Sequence, residues 1–430
     1  MTREAKVLVP RLRFPEFESA GNWRKLRLVD VADKNTKWSF IGGPFGSNLK
    51  SSDYVSEGIR VIQLQNIGDA EFVDDYKIFT SYEKADELQS NNIYPGEIIL
   101  SKMGDPVGRA CLIPDTNHRY VMCSDGIRLV VDEKQYIKYF IYVLINSTHF
   151  RLLVENTATG STRKRIGLDD LKNLPLQIPS APEQQKIADC LGSLDDMITA
   201  EGRKLDALRQ HKQGLMQQLF PEPGETVPKL RFPEFRNASE WQEKQLGKIS
   251  EILMCKRIFA SQTNLKGGVP FYKIGTLGGE PDAFISKSLF EKYKSKYNFP
   301  RFGEILITCS GTIGRCLAYD GNEAYFQDSN IVWIDNPTRE VSNEFLLNVL
   351  SNVNWSALNS TTITRIYGPD LRGLAITFPR SKFEQKRIAD CLGLLDNLIA
   401  AESRKLEVLR KHKQGLMQQL FPSLEAKWQT

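Results

Sequence analysis

The sequence predicts an α+β protein written twice over, as two tandem α+β domains each followed by a long helix. The two helices are expected to pair antiparallel as a coiled coil within a pseudo-two-fold symmetric monomer. Three observations lead there. The segment "IADCLGSLDDMITAEGRKL" at Ile187 returns as "IADCLGLLDNLIAAESRKL" at Ile388, and 29 of the 39 positions from Glu183 and Glu384 are identical. The opening motif "VPRLRFPEF" at Val9, followed by Trp23, returns 218 residues later as "VPKLRFPEF" at Val227, followed by Trp241. Between these constant parts only faint echoes survive, such as "GEIILSKMGDPVGRA" at Gly96 against "GEILITCSGTIGRC" at Gly303. Internal duplication of this kind decides the architecture before any local reading.

In chain order, residues 1–182 make an N-terminal segment and the first domain, and 183–221 the first long helix. Residues 222–383 make a linker and the second domain, 384–422 the second long helix, and 423–430 a tail. The chain opens with the motif that follows the first helix and closes with the same "LFP" exit, so its two ends are expected to lie close together. Within the first domain "GEIILS", "RACLIP" and "GIRLVVD" are short apolar runs between Gly, Asp and Pro turns, which reads as strands. "GEILIT", "GRCLAY" and "SNIVWID" hold the same places in the second. Helical stretches are expected from Asp132 and from Ser342.

The first long segment places apolar residues at Ile187, Leu191, Leu194, Ile198, Leu205 and Leu208, and the second at Ile388, Leu392, Leu395, Ile399, Leu406 and Leu409. Steps of four and three are the a and d positions of a heptad, and a stripe this narrow requires a partner helix. Pro182 and Glu183 open the first helix, while Pro221 and Pro422 stop the two copies. Each helix is then about 57 Å long. Glu201 and Lys212, with Glu402 and Lys413, break the stripe and either face each other across the seam or point to solvent. Gly192, Gly214, Gly393 and Gly415 recur at matched positions and imply close packing, of the helices on each other or by another protein.

Loops rich in Gly, hydroxyls and cations recur at equivalent points of both domains. Such loops offer exposed N–H groups, O–H donors and positive charge to a phosphate backbone. In the first domain they supply Ser47, Lys50, Lys102, Arg109, Ser161, Arg163 and Lys164 as candidate DNA contacts. In the second they supply Lys256, Arg257, Thr308, Thr312, Arg315, Thr362 and Arg365. The net charge of +5 suits a polyanionic partner without requiring one. No apolar run is long enough to span a membrane and no signal peptide opens the chain. Seven cysteines without a CxxC pair fit free thiols in a cytoplasmic protein.

The repeated "KLRFPEF…W", the "GPFGSNLKSSDY" loop, the "GEI…GR" hairpin and the "EQ…IAD" and "KQGLMQQLF" helix motifs together resemble the specificity subunit of type I restriction–modification enzymes, over nearly the whole chain. The resemblance implies a DNA-reading subunit with two target-recognition domains, each reading one part of a bipartite, asymmetric double-stranded site. The helices would space the domains and dock two modification (methyltransferase) subunits, through which the restriction (motor–nuclease) subunits join. The chain itself is then expected to be non-catalytic and to hold no cofactor, with AdoMet, Mg²⁺ and ATP used by its partners. The matched hairpins "MGDPVG" and "SGTIG" differ in length, so base contacts do not transfer between domains.

Other functions find little in the residues. No methyltransferase motif, Gly-rich AdoMet loop or P-loop occurs. Nuclease-like matches at Pro114–Asp115 and Pro369–Asp370 each occur in one half only. Cys190 and Cys391 read as small helix residues, and His211 and His412 lack a second ligand. Trp23 and Trp241, with their neighbouring Phe residues, are expected to clasp the helix pair. The remaining alternative is a coiled-coil scaffold joining two protein-binding α+β domains.

Overall fold

The computed structural model describes residues 10–355 and 365–422. The chain forms two compact units, one of Met1–Gly202 with Lys405–Thr430 and one of Arg203–Arg404. The division falls inside the long helices, where the sequence boundaries lay at their ends. Each unit therefore contains a domain, the start of its own long helix and the end of the other.

In the first unit a four-stranded antiparallel sheet runs in the order Phe40–Gly42, Gly126–Leu129, Ile98–Ser101, Ala110–Leu112. A second sheet of five strands, Tyr54–Val55, Ile78–Thr80, Ile59–Ile62, Tyr120–Met122 and Asn92–Ile93, has one parallel pair between Tyr120–Met122 and Ile59–Ile62. The run Ile98–Leu100 is buried throughout because successive side chains of a strand face opposite ways. Ile98 and Leu100 enter the main core, while Ile99 joins Ile62, Ile93 and Met122 in a smaller one.

The second unit repeats the plan. Its sheets run Glu251–Leu253, Ile331–Asp335, Ile305–Thr308, Cys316–Ala318 and Thr263–Asn264, Phe284–Ile285, Val269–Tyr272, Tyr325–Phe326. Ile305 and Ile307 face one core and Leu306 the other. A two-stranded ribbon closes each domain where the chain enters and leaves it, Arg24–Arg27 with Pro175–Ile178 and Gln242–Gln245 with Ala375–Phe378.

The helical stretch expected from Asp132 is two helices, Lys138–Ile145 and Thr148–Thr157. Ser147 separates them because its hydroxyl caps the second, accepting from the Phe150 N–H at 3.4 Å. The stretch from Ser342 is the helix Asn343–Ser351, capped by Ser342 in the same way.

The long helices are Ala181–Leu219 and Lys382–Leu420. In the first unit Lys413 Nζ donates to Asp195 Oδ1 at 2.5 Å and Lys405 pairs with Glu201. The partner's number falls as the first helix advances, so the segments run in opposite directions. In the second unit Lys212 Nζ donates to Asp396 Oδ1 at 2.5 Å and Lys204 pairs with Glu402. The polar breaks in the heptads, Glu201, Lys212, Glu402 and Lys413, are half-buried, with side chains 13–20% exposed. Each pairs with an opposite charge on the facing helix segment of the same unit. Of the stripe residues, Ile187, Leu191, Leu205, Ile388, Leu392 and Leu406 are buried, and Leu194, Ile198, Leu208, Leu395, Ile399 and Leu409 half-buried. Gly214, Gly393 and Gly415 have open space where a Cβ would stand, so helix-on-helix packing does not explain them.

An ion-paired clasp holds each helix start to its domain. Arg13 donates to both oxygens of Glu183 at 2.7 Å, and the Trp23 indole N–H donates to the same carboxylate at 3.2 Å. Arg231, Glu384 and Trp241 repeat the arrangement in the second unit. Phe421, at the end of the second helix, packs edge-on to Trp23, as Phe220 does to Trp241. In the first unit the Leu12 N–H donates to the Gln419 carbonyl at 3.0 Å, joining the segment before the first domain to the end of the second helix.

Candidate nucleic-acid interface

In each unit three loops distant in sequence converge on one turn. In the first, that turn is Cys123–Gly126. The Gly43 N–H donates to the Gly126 carbonyl at 2.7 Å, bringing in the loop that carries Ser47 and Lys50. A Cβ on Gly43 would stand 1.7 Å from the Cys123 carbonyl oxygen, so this approach admits only glycine. The Lys102 N–H donates to the Asp125 carbonyl at 2.7 Å, placing the hairpin. Arg165 Nη2 reaches Asp125 Oδ1 at 3.1 Å, while Lys164–Arg165 pairs as a short strand with Met103–Gly104. The loop with Ser161, Arg163 and Lys164 is thereby laid beside Lys102 and Arg109.

In the second unit the turn is Gln327–Asn330, with Ser329 at a φ of 54°. The Cys309 N–H donates to the Asn330 carbonyl at 2.8 Å, Arg365 Nη2 donates to the Ser329 carbonyl at 3.2 Å, and Arg257 Nε donates to Asp328 Oδ2 at 2.8 Å. A cleft of about 310 Å³ opens here, lined in part by Arg257, Lys273, Gln327 and Asn330.

The recurring Gly-Arg pair of the hairpins has a common physical cause. Gly108 and Gly314 have φ of 73° and 76°, and a Cβ would lie 2.6 Å from Val154 or 1.9 Å from Trp355. Each glycine lets its hairpin settle against the domain and sets the direction of the arginine after it. The bonds match too: Gly108 N–H to Ser101 O at 3.0 Å and Gly314 N–H to Thr308 O at 2.8 Å.

Of the candidate contacts, Ser47, Lys50, Ser161, Arg163, Lys256, Arg257, Thr312 and Arg315 are exposed, and Lys102, Arg109, Lys164 and Arg365 half-buried. Lys164 pairs with Glu155, and Arg257 with Asp328. Arg109 Nε is buried and has no hydrogen-bond partner among the described residues. Thr308 is a correction: it is fully buried, and its hydroxyl donates to the Thr312 carbonyl and accepts from the Arg315 N–H at 3.0 Å. It braces the hairpin and cannot reach a ligand. Thr362 lies outside the described residues. The sequence reading missed the two organising turns, Arg165 and Lys273; the Asp-Gly pair at Asp125–Gly126 was the available signal.

Burial holds the thiols of the domain cysteines high, Cys111, Cys255 and Cys316 to about 12, and at Cys111 it outweighs the opposing pull of Arg109. These are inert core groups rather than nucleophiles. All seven cysteines are free. Among the described residues no group of His, Cys, Asp or Glu is placed to hold a metal ion. Among them, too, no helix is long and apolar enough to cross a membrane.

The family model for the type I restriction modification DNA specificity domain matches twice, over residues 21–210 and 238–411. A Haemophilus influenzae protein carrying the name of a type I restriction enzyme specificity subunit is 35% identical over 275 residues, covering 64% of this chain and 68% of its own. The MjaVIII specificity subunit of Methanocaldococcus jannaschii is 21% identical over 342 residues, 76% of this chain and 75% of its own. The crystal structure of a type I restriction–modification S subunit from M. genitalium aligns with a TM-score of 0.62 at 17% identity, covering 97% of this chain and all of that one. A chain from a structural study of assembly and conformational transition in a type I system aligns with a TM-score of 0.52 at 18% identity, covering 93% and 97%.

Proposed function

Because the chain belongs to the type I restriction modification DNA specificity family, we propose that its two units read the two halves of one bipartite, asymmetric duplex site. The observation that carries this reading is the same three-loop platform built twice with different side chains, Lys102 in the first unit standing where the second has Cys309. Equal frameworks place both platforms alike, and unlike side chains give unlike half-sites, so the target is not a palindrome. Cations and hydroxyls on the loops hold phosphates and set the register, while neighbouring side chains read base edges.

The two long helices act as a coiled-coil spacer in a pseudo-two-fold monomer. Contacts on one face of B-DNA recur about every 34–36 Å, a distance that helices of about 57 Å accommodate with ends to spare. Their near-identity suits two modification subunits docking through equivalent surfaces, with the restriction subunits joining through these. The chain works without catalysis of its own in a cytoplasmic complex, and AdoMet, Mg²⁺ and ATP serve its partners.

A salt titration separates this reading from a protein-binding scaffold. Phosphate neutralisation at six to ten contacts makes affinity fall about 10³- to 10⁵-fold between 50 and 200 mM salt. Duplex binding by the reconstituted complex should show that slope. Salt-independent or absent binding would leave the scaffold.

A further inference from the structure

We infer that Phe45 and Phe259 are aromatic wedges that enter the base stack, so that each unit kinks its own half-site. The inference rests on the DNA-reading proposal and adds to it a mode of readout. Phe45 is 82% exposed and Phe259 60%. Both lie in the same connection of the fold, between the edge strand of the first sheet and the first strand of the second. In one unit that connection joins Phe40–Gly42 to Tyr54–Val55, and in the other Glu251–Leu253 to Thr263–Asn264.

A single exposed phenylalanine is unremarkable on a protein surface. These two differ in three respects. Their backbones are fixed: the Asn48 N–H donates to the Phe45 carbonyl at 2.8 Å, and Phe259 exchanges hydrogen bonds with Gln262 at 2.9 Å in both directions. Each follows a buried residue, Pro44 or Ile258, that pins the loop to the domain. Each stands among cations of the candidate interface, Lys50 in one loop and Lys256 and Arg257 in the other. Within the connection the two hold different places, since Phe259 caps the turn that Lys50 caps in the first unit; what the two loops share is an exposed, backbone-fixed phenylalanine.

A rigid apolar side chain projecting from a cationic loop has a known use on duplex DNA. Apolar wedges part adjacent base pairs and kink the helix by about 20–90°. Pyrimidine–purine steps unstack with the least resistance. Each half-site, or its flank, should then contain such a step, read through its deformability at a position that makes no edge contact.

The test uses the full chain assembled with its modification subunits and an end-labelled duplex carrying the motif methylated in the host. Energy transfer between the ends reports bending. F45A should straighten the duplex and lower affinity about tenfold, F45L should keep most of both, and F259A should act at the other half. Replacing the pyrimidine–purine step by a purine–purine step should weaken wild type and leave F45A unmoved. Unchanged bending in F45A, with or without an affinity loss, would overturn the wedge while leaving DNA reading intact. No salt-dependent binding by wild type would overturn both.

Discussion

Removing the Glu183 carboxylate should loosen the N-terminal arm far more than an exposed ion pair would. Glu183 is 1% exposed and Arg13 11%. The carboxylate receives two Arg13 bonds at 2.7 Å and the Trp23 indole at 3.2 Å. Breaking a buried pair costs about 3–5 kcal/mol, mostly because the surviving charge stays buried. Arg13 keeps its bonds to the Ala20 and Gly21 carbonyls, at 2.8 and 3.2 Å, which favours the lower end. Glu183→Ala should therefore destabilise the arm by about 3 kcal/mol, a factor of about 150 in its local opening. Native-state hydrogen exchange at the amides of Leu12 and Arg24–Arg27 reads that opening directly. The double variant Arg13→Met, Glu183→Leu should lose less than the single one, since no orphaned charge remains. Unaltered exchange in Glu183→Ala, or a double variant no better than it, would refute the reasoning. Glu384→Ala should behave alike in the second unit.

Leu205→Asp with Leu406→Asp should abolish assembly with modification subunits, checked by native mass spectrometry. These side chains are 4% and 8% exposed, and each variant loses about 2–3 kcal/mol of burial before any cost of burying a carboxylate. Arg109→Ala should weaken duplex binding by about 1–3 kcal/mol and lower the salt slope by about one, with the fold intact by circular dichroism. His149 is pushed below its ordinary 6.5 by burial, and its Nδ1 has no hydrogen-bond partner among the described residues. The unfolded chain therefore binds this proton first, and stability present above pH 6.5 is lost as pH falls through the folded value. Denaturation followed from pH 7.5 to 5.5 should show that loss, reduced in His149→Gln.

The parts readable from sequence are those whose cause is local or periodic. Heptad spacing marks Leu191 and Leu392 for burial because a helix repeats every 3.6 residues. Duplication identifies the Trp23 and Trp241 clasps, although not that Glu183 and Glu384 complete them. The Asp125–Gly126 pair signals a turn, but the organising role of the turns was not readable. Cys123–Gly126 matters because strands far apart in sequence bring Gly43, Lys102 and Arg165 to it, and no local pattern records that. Thr308 was misread for a related reason. A hydroxyl beside a Gly-rich hairpin looks available in sequence, yet strand alternation turns this one inward to satisfy the turn it precedes.

This chain, on the proposal above, directs methylation to an asymmetric, two-part sequence. Mapping methylated adenines in a host carrying the chain and its partners, with and without the chain, tests it most directly. One bipartite, non-palindromic motif should be methylated and should disappear with the chain. A methylation pattern unchanged by its removal, or a palindromic motif, would contradict it.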